Sequence, residues 1–431
     1  MMMSCKDVTL PAAGITVTVT TADGSNYART IDAPSVAGNA VVLAGGKTHT
    51  ITVGDITSWT YPSITTTYTD ATVASTFLYT ADGTATKAGT ATNPYLIQSA
   101  ADLKMVQDIT NGVITNDTYK NKCYKLTTDI TIALSTGTSW TPIGKDYDDK
   151  NNFQGTFDGD GHSVTGVYIN TNQQYVGFFG YVEKGTVKNL NVTGDITSTY
   201  SDEGSVGGIV GKLYGNSYVI GCSYSGSITG TKYNIKIGGI CGNAYDSYVI
   251  GCYNTSTVKS IQQQNSSHCG GIAGITGSGN DRIIGCYNTG AVTGTNNTKV
   301  GGIVAANQGK VMGCYNTGSV TGTNASSASC GGILGNNSTI TTSTTGCLWV
   351  KSTATGTATT GIGKETDAGT ITPFDDIATL NSDTNIGTLN AAIDTWNSDT
   401  SDTTSPKYCH YKFKAGTDTA TTPPTLTAET P

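Results

Sequence analysis

At 431 residues the chain is long enough for more than one domain, and its composition is skewed towards 55 Gly and 23 Tyr, with only 10 Pro. Charged residues make up 13%, about half the share of an ordinary soluble domain, and the excess of Thr, Ser, Asn, Val and Ile favours strands and turns. A net charge of −7 without a basic run argues against nucleic acid and against anionic lipid, and no run of about eighteen apolar residues offers a transmembrane helix.

The first residues, Met1-Met2-Met3-Ser4-Cys5-Lys6-Asp7, are too short to hold the apolar region of a signal peptide. They read either as an ordinary start with a stray cysteine or as the last residues of a lipoprotein signal. The second reading makes Cys5 the lipidated residue and requires sequence upstream. Residues 1–60 form a small β segment in which 15–20 and 48–53 alternate as strands. Residues 61–92 are a linker. Residues 93–152 read as an N-terminal cap: a strand at Tyr95-Leu96-Ile97, a helix from Ser99 to about Thr110, and a strand from Cys123 to Ile130. Leu103, Val106 and Ile109 share one face of that helix, which would shield open strand edges from aggregation.

From residue 153 to 350 the chain repeats itself. Gly-Gly-Ile recurs at 207–209, 238–240, 270–272, 301–303 and 331–333, with a degenerate Gly177-Phe178-Phe179 one period earlier. Gly-Cys-Tyr-Asn-Thr recurs at 251–255, 285–289 and 313–317, with a variant at 221–225. Aligned copies give three apolar columns: Phe179, Ile209, Ile240, Ile272, Ile303, Ile333; then Leu190, Cys222, Cys252, Cys286, Cys314, Cys347; then Ile196, Ile228, Val258, Val292, Val320. Three short strands per period joined by polar turns predict an all-β fold, a right-handed parallel β-helix of about six to seven coils stacked about 4.8 Å apart.

Because Leu190 shares the cysteine column, that slot is apolar and inward-facing, and the expectation is a ladder of free thiols. Asn254, Asn288 and Asn316 form a corner column able to hydrogen-bond from coil to coil. Alternation points Tyr253, Tyr287 and Tyr315 outward. They are the candidate ligand-binding residues, as a stacking surface for a glycan or partner, or else a self-stacked stripe over the backbone. Beyond Trp349 the columns stop. Residues 351–415 read as a C-terminal cap with a helix from about Ile386 to Trp396 and a last strand from Tyr408 to Phe413, and 416–431 as a disordered tail.

The repeats hold few groups for chemistry. Between 205 and 350 the acidic residues are Asp246 and Asp281, in different columns. The richest acidic cluster is Asp146, Asp148, Asp149, Asp158 and Asp160; Asp158-Gly159-Asp160 lacks the remaining ligands of a calcium loop and reads as a glycine-rich turn. The four His are scattered, with no His-Glu-x-x-His and no Cys-x-x-Cys, so no metal and no cofactor is expected. The rival to a binding or scaffold role is a β-helix polysaccharide lyase or glycoside hydrolase, which needs convergent carboxylates. The expectation from these residues is that the chain is not an enzyme.

The pairing of Gly-Gly-Ile-Val-Gly with Gly-Cys-Tyr-Asn-Thr-Gly resembles the GLUG-motif repeats of bacterial adhesins and of some immunoglobulin A peptidases. The lead-in, with Asn93-Pro94-Tyr95-Leu96-Ile97, Trp140-Thr141-Pro142-Ile143-Gly144 and Phe157-Asp158-Gly159-Asp160-Gly161-His162, is similar to the region before such repeats in surface lipoproteins of Gram-negative gut anaerobes. Residues 7–60, ending in Gly54-Asp55-Ile56-Thr57-Ser58-Trp59, resemble a fragment of a fimbrillin-like domain. The resemblance implies a monomeric adhesin or scaffold, secreted or displayed as an outer-membrane lipoprotein. Its partners would be a host glycan or protein or another cell-surface component, and it assigns no catalytic residue.

Overall fold

The computed structural model describes four strands within the first 88 residues. From residue 89 onward it describes all but 115–118, 133–138, 146–150, 262–266, 296–297, 324–329, 338–343, 352–359, 365–370, 400–408 and 429–431. Two compact units are present, Met1–Thr67 with Ala133–Gly137, and the remainder. In the first, Ile15–Thr20 pairs antiparallel with Asn26–Ile31, and Val8–Thr9 with Val42–Leu43. Cys5 and the expected strand at 48–53 lie outside the described residues.

The second unit is a parallel β-solenoid of about seven coils. One coil shows how it is made: Ser205–Gly207, Val210–Tyr214, Tyr218–Ile220 and Ser223–Gly230 each add a strand to a different sheet. These four faces hold six, seven, nine and twelve strands. The expected three strands per coil are therefore four, because the Gly-Gly-Ile and Gly-Cys positions are bends, each separating two strands. Ile209, Ile240, Ile272, Ile303 and Ile333 remain fully buried at the first bend, as the cysteines do at the second. The third column is in register from Ile196 through Ile228, Val258 and Val292 to Val320. At the degenerate copy Phe179 pairs with Val210, which makes Phe178 the head of the isoleucine column.

The two repeated motifs need one another. A Cβ on the second glycine of Gly-Gly-Ile would lie 2.3 Å from Asn254 Cγ at Gly239 and 2.5 Å from the Cγ of Asn288 and Asn316 at Gly271 and Gly302. Without a side chain there, the asparagines run through the interior as a ladder. Asn254 Nδ2 donates to Asn288 Oδ1 at 2.8 Å, and Asn288 Nδ2 to Asn316 Oδ1 at 2.7 Å. Each also closes its own corner by donating to the carbonyl of Ser256, Gly290 or Gly318. Buried amides so paired escape the cost of an unmade hydrogen bond. Beside them the cysteines are free thiols, and the backbone N–H groups of Cys222, Cys252 and Cys286 each donate to the sulfur one coil on, at 3.4 Å.

Both ends of the solenoid run further than the repeats show. Tyr95–Ile97 and Cys123–Leu126, expected as a cap, already pair in parallel and lead into Thr156–Asp158. Past Trp349, Ile362–Lys364 pairs with Leu334–Asn337, and Ile371–Phe374 with Cys347–Val350. The columns do not stop there; they continue in residues that share no motif with the copies before them. The helix Ala100–Thr110 forms where expected. Ser99 Oγ accepts from Asp102 N at 3.2 Å while Asp102 Oδ2 accepts from Gln98 N at 2.9 Å, a reciprocal cap. Leu103, Val106 and Ile109 are buried, and Asn111 joins the helix to Pro142 and Gly144.

The C-terminal segment is not an end cap. Its helix, Asp383–Ser398, and the hairpin of Tyr411–Lys414 with Thr425–Ala428 lie along the flank of the solenoid. Thr425–Ala428 is a strand in the stretch expected to be a disordered tail, where pairing with Tyr411–Lys414 overrides the Thr/Pro composition. A column of bend glycines seats this strap. Gly221, Gly251, Gly285, Gly313 and Gly346 all have φ between 58° and 61°. Side chains at Gly221 and Gly251 would strike Tyr411, at Gly285 and Gly313 Ile393, and at Gly346 Ala392. The same glycines make the left-handed bend and leave the groove.

Candidate functional site

The tyrosine column forms as the repeat predicts. Tyr253, Tyr287 and Tyr315 are in register on successive coils, their rings 4.9 and 5.0 Å apart and within 6° of parallel. It is not an open surface, which corrects the ligand-binding expectation. Tyr287 and Tyr315 are 7% and 0% exposed. Phe413 meets both rings edge-on at 6.3 and 5.4 Å, Tyr315 Oη donates to Pro424 O, and Leu389, Ile393 and Trp396 complete the cover. Alternation correctly placed these rings outside the coil; the chain's own strap makes the outside of the coil an interior.

The carboxylates of the first coil are held by lysines. Asp158 Oδ2 lies 3.0 Å from Lys188 Nζ and Asp160 Oδ2 2.9 Å from Lys125 Nζ. Asp158 Oδ1 accepts from Asp160 N and from Asn189 Nδ2, and Asn189 Oδ1 in turn accepts from Tyr411 Oη of the strap at 2.9 Å. This is a tied turn, with Asp160 and Gly161 both at positive φ. Asp146, Asp148 and Asp149 lie outside the described residues. Among the described residues no three His, Cys, Asp or Glu come together as a metal site.

A different patch is open, and nothing in the motifs singled it out. On the second face Tyr214 and Tyr245 stack at 5.5 Å and 23°, and Tyr245 is 41% exposed. A Cβ at Gly277 would lie 3.0 Å from the Tyr245 ring, so that glycine continues the column beneath it. Lys212 places its Nζ 5.5, 5.8 and 5.8 Å from the ring centres of Tyr175, Tyr181 and Tyr214, within the range of cation–π attraction. Beside it on the first face, Ser205, Lys236, His268 and Lys299 follow one another in register.

Burial lowers the Lys212 ammonium and Lys236 adds to the lowering, while Glu203 opposes it; burial also lowers Lys236, against Glu203 and Asp202. His268 is pushed down to about 3 by burial, then by Lys299 and Lys236, and so is neutral across the physiological range. Among the described residues, His268 Nδ1 and Ser205 Oγ are buried without a hydrogen-bond partner. Aligning the residue two before each Gly-Gly would have revealed this column, but its members differ in identity and formed no motif.

No protein family profile matches the chain. A stretch of 132 residues, 30% of the chain, is 36% identical to a candidate Gly-rich membrane protein of Evansella cellulosilytica. A stretch that covers 37% of the chain is 32% identical over 179 residues to a halomucin of Haloquadratum walsbyi. The chain spans only 14% and 2% of the lengths of these relatives. A crystal structure described as a candidate immunoglobulin A1 protease from Bacteroides ovatus matches 79% of this chain and 94% of its own, with a TM-score of 0.50 and 19% identity. That likeness establishes the β-helix architecture. It also overturns the expectation that the chain is not an enzyme: a protein of the same fold carries a protease description, so the solenoid fold does not exclude catalysis.

Proposed function

We propose that this chain is a cell-surface adhesin or scaffold that presents the open flank of its solenoid to glycan or protein ligands. The observation that carries the reading is the Tyr214–Tyr245 stack, with Tyr245 exposed, beside Lys212. Stacked tyrosines offer flat apolar faces with polar tips, suited to a sugar ring or a partner's side chain. Placement at the cell envelope is supported by the relative named a membrane protein, and no described helix is long and apolar enough to cross a membrane. The GLUG-like pairing of motifs belongs to the same reading. The test is to present the full chain to arrays of glycans and of surface proteins. Selective, saturable binding that weakens on Tyr245→Ala supports the proposal; absence of binding on every array rejects it.

A further inference from the structure

The geometry points to a groove for an acidic glycan, one bearing carboxylate or sulfate groups, along Lys212, Lys236, His268 and Lys299 with the Tyr214–Tyr245 stack at its side. This deepens the adhesin reading and rests on it.

The charge distribution is the first argument. The chain carries −7 overall, yet residues 205–350 hold six Lys and one Arg against two Asp, a local balance of +5. Three of those seven cations, Lys212, Lys236 and Lys299, gather on one side of the solenoid. Two of them, Lys236 and Lys299, share a single column with His268 between. Burial lowers Lys212 and Lys236 alike, and at Lys212 the nearby Lys236 adds to that lowering, so these two cations repel one another. Glu203 acts against the lowering of Lys212 and of Lys236, and Asp202 against that of Lys236, while the charges that lower His268 are Lys299 and Lys236. An anion lying along the column would meet a cation at Lys236 and again at Lys299.

Spacing is the second. Lys236 and Lys299 stand two coils apart, about 9.6 Å at the strand spacing of a sheet, the scale of one disaccharide in an extended chain. A polymer with one acidic group per disaccharide would meet a lysine at each. Between them His268, 9% exposed and held neutral, adds no charge to the column. Lys212 links this column to Tyr214, and Tyr245 continues it with an exposed ring for the apolar face of a sugar.

The test uses the full chain and three probes of similar length: oligogalacturonate for carboxylate, a heparin-type oligosaccharide for sulfate, and a neutral glucan. A single-stranded DNA oligomer is the competing polyanion. Calorimetry at low and high salt is expected to show binding of one or both acidic glycans, weakening with salt. Lys236→Gln with Lys299→Gln should reduce affinity about tenfold or more, equal to about 1.4 kcal/mol, and flatten the salt dependence; Lys236→Arg with Lys299→Arg should restore it. Tyr245→Ala should weaken binding several-fold with the salt slope intact. The groove is refuted if the neutral glucan binds as well, if the DNA binds better with the same sensitivity to the Gln pair, or if the Gln pair changes nothing while its circular dichroism matches the parent. In that last case binding on the arrays that is insensitive to the lysines keeps the adhesin reading alive without this groove, whereas binding to nothing removes both.

Discussion

Two glycine-to-alanine substitutions separate the backbone role of the bend glycines from their role as a seat for the strap. Gly251 and Gly161 both hold positive φ, 61° and 84°, where an added Cβ costs about 1–2 kcal/mol. At Gly161 the new methyl would meet nothing within 4 Å; at Gly251 it would lie 2.3 Å from Cδ2 and 2.7 Å from Cγ of Tyr411. Gly161→Ala should therefore cost only the conformational term. Gly251→Ala should add about 1–3 kcal/mol for overpacking, or displace the Tyr411 ring and free its hydroxyl from Asn189. A solenoid opens in parts, so hydrogen exchange resolved by segment is the assay. The Gly251 variant should accelerate exchange in Tyr411–Lys414, and shift the emission of Trp396 in the same cluster, under conditions where the Gly161 variant leaves both unchanged. Equal costs, with the hairpin equally protected in both, would show that the strap does not depend on the glycine groove.

The five ladder cysteines should resist alkylation in the folded chain and react on unfolding, with Cys286→Ser costing about 1–3 kcal/mol if its hydroxyl finds no partner; rapid labelling of the native protein would count against the ladder. Burial raises Cys269 to about 12 and Cys330 to about 11, and buries Cys222 and Cys286 with their thiols well above the usual range. The folded state thus keeps protons that the unfolded chain loses, and stability should fall as pH rises from about 9 towards 11–12, a slope that denaturation in alkaline buffers would reveal or rule out. Asp281, raised to about 7 by burial despite hydrogen bonds from Ser247 N and Ser278 N, follows the same sign at lower pH. Stability should decline as pH rises from about 4 to 7, and Asp281→Asn should remove that dependence if Asp281 is its source. Asn288→Ala breaks the interior ladder on both sides and costs Asn254 Nδ2 and Asn316 Oδ1 one hydrogen bond each, at about 0.5–1.5 kcal/mol per bond; a cost near zero in chemical denaturation would mean that water replaces it.

What the sequence disclosed depended on how a residue's surroundings repeat. The columns of Ile209, Cys222 and Ile228 were legible because each is surrounded by copies of itself, so alignment alone reports inward direction and register. The bends were not: a buried isoleucine after two glycines reads like a strand until the Asn254 ladder behind Gly239 is seen to need the space. The degenerate copy misled by one position, since Phe178 and Phe179 are identical and only strand pairing distinguishes them. The outward direction of Tyr287 was right and its exposure wrong, because its cover comes from Leu389, Ile393 and Phe413, more than seventy residues away and present once. The lysine column was hidden for the opposite reason, one position occupied in turn by Ser205, Lys236, His268 and Lys299.

The strap also sets how many repeats this protein can have. Solenoids gain and lose coils readily, since each touches only its neighbours. Here one continuous segment reaches from Asn189, through Tyr411, to Gly346, through the helix Asp383–Ser398. Two notches, Gly221 and Gly251, are met by Tyr411 of the hairpin, and three, Gly285, Gly313 and Gly346, by Ile393 and Ala392 of the helix, a column of four coil steps of about 4.8 Å each. Duplicating a copy within residues 221–346 would leave one glycine notch and one tyrosine without a counterpart, and deleting one would leave a side chain of the strap without its notch. Growth or shrinkage of the array is therefore coupled to a matching change in a segment that does not repeat.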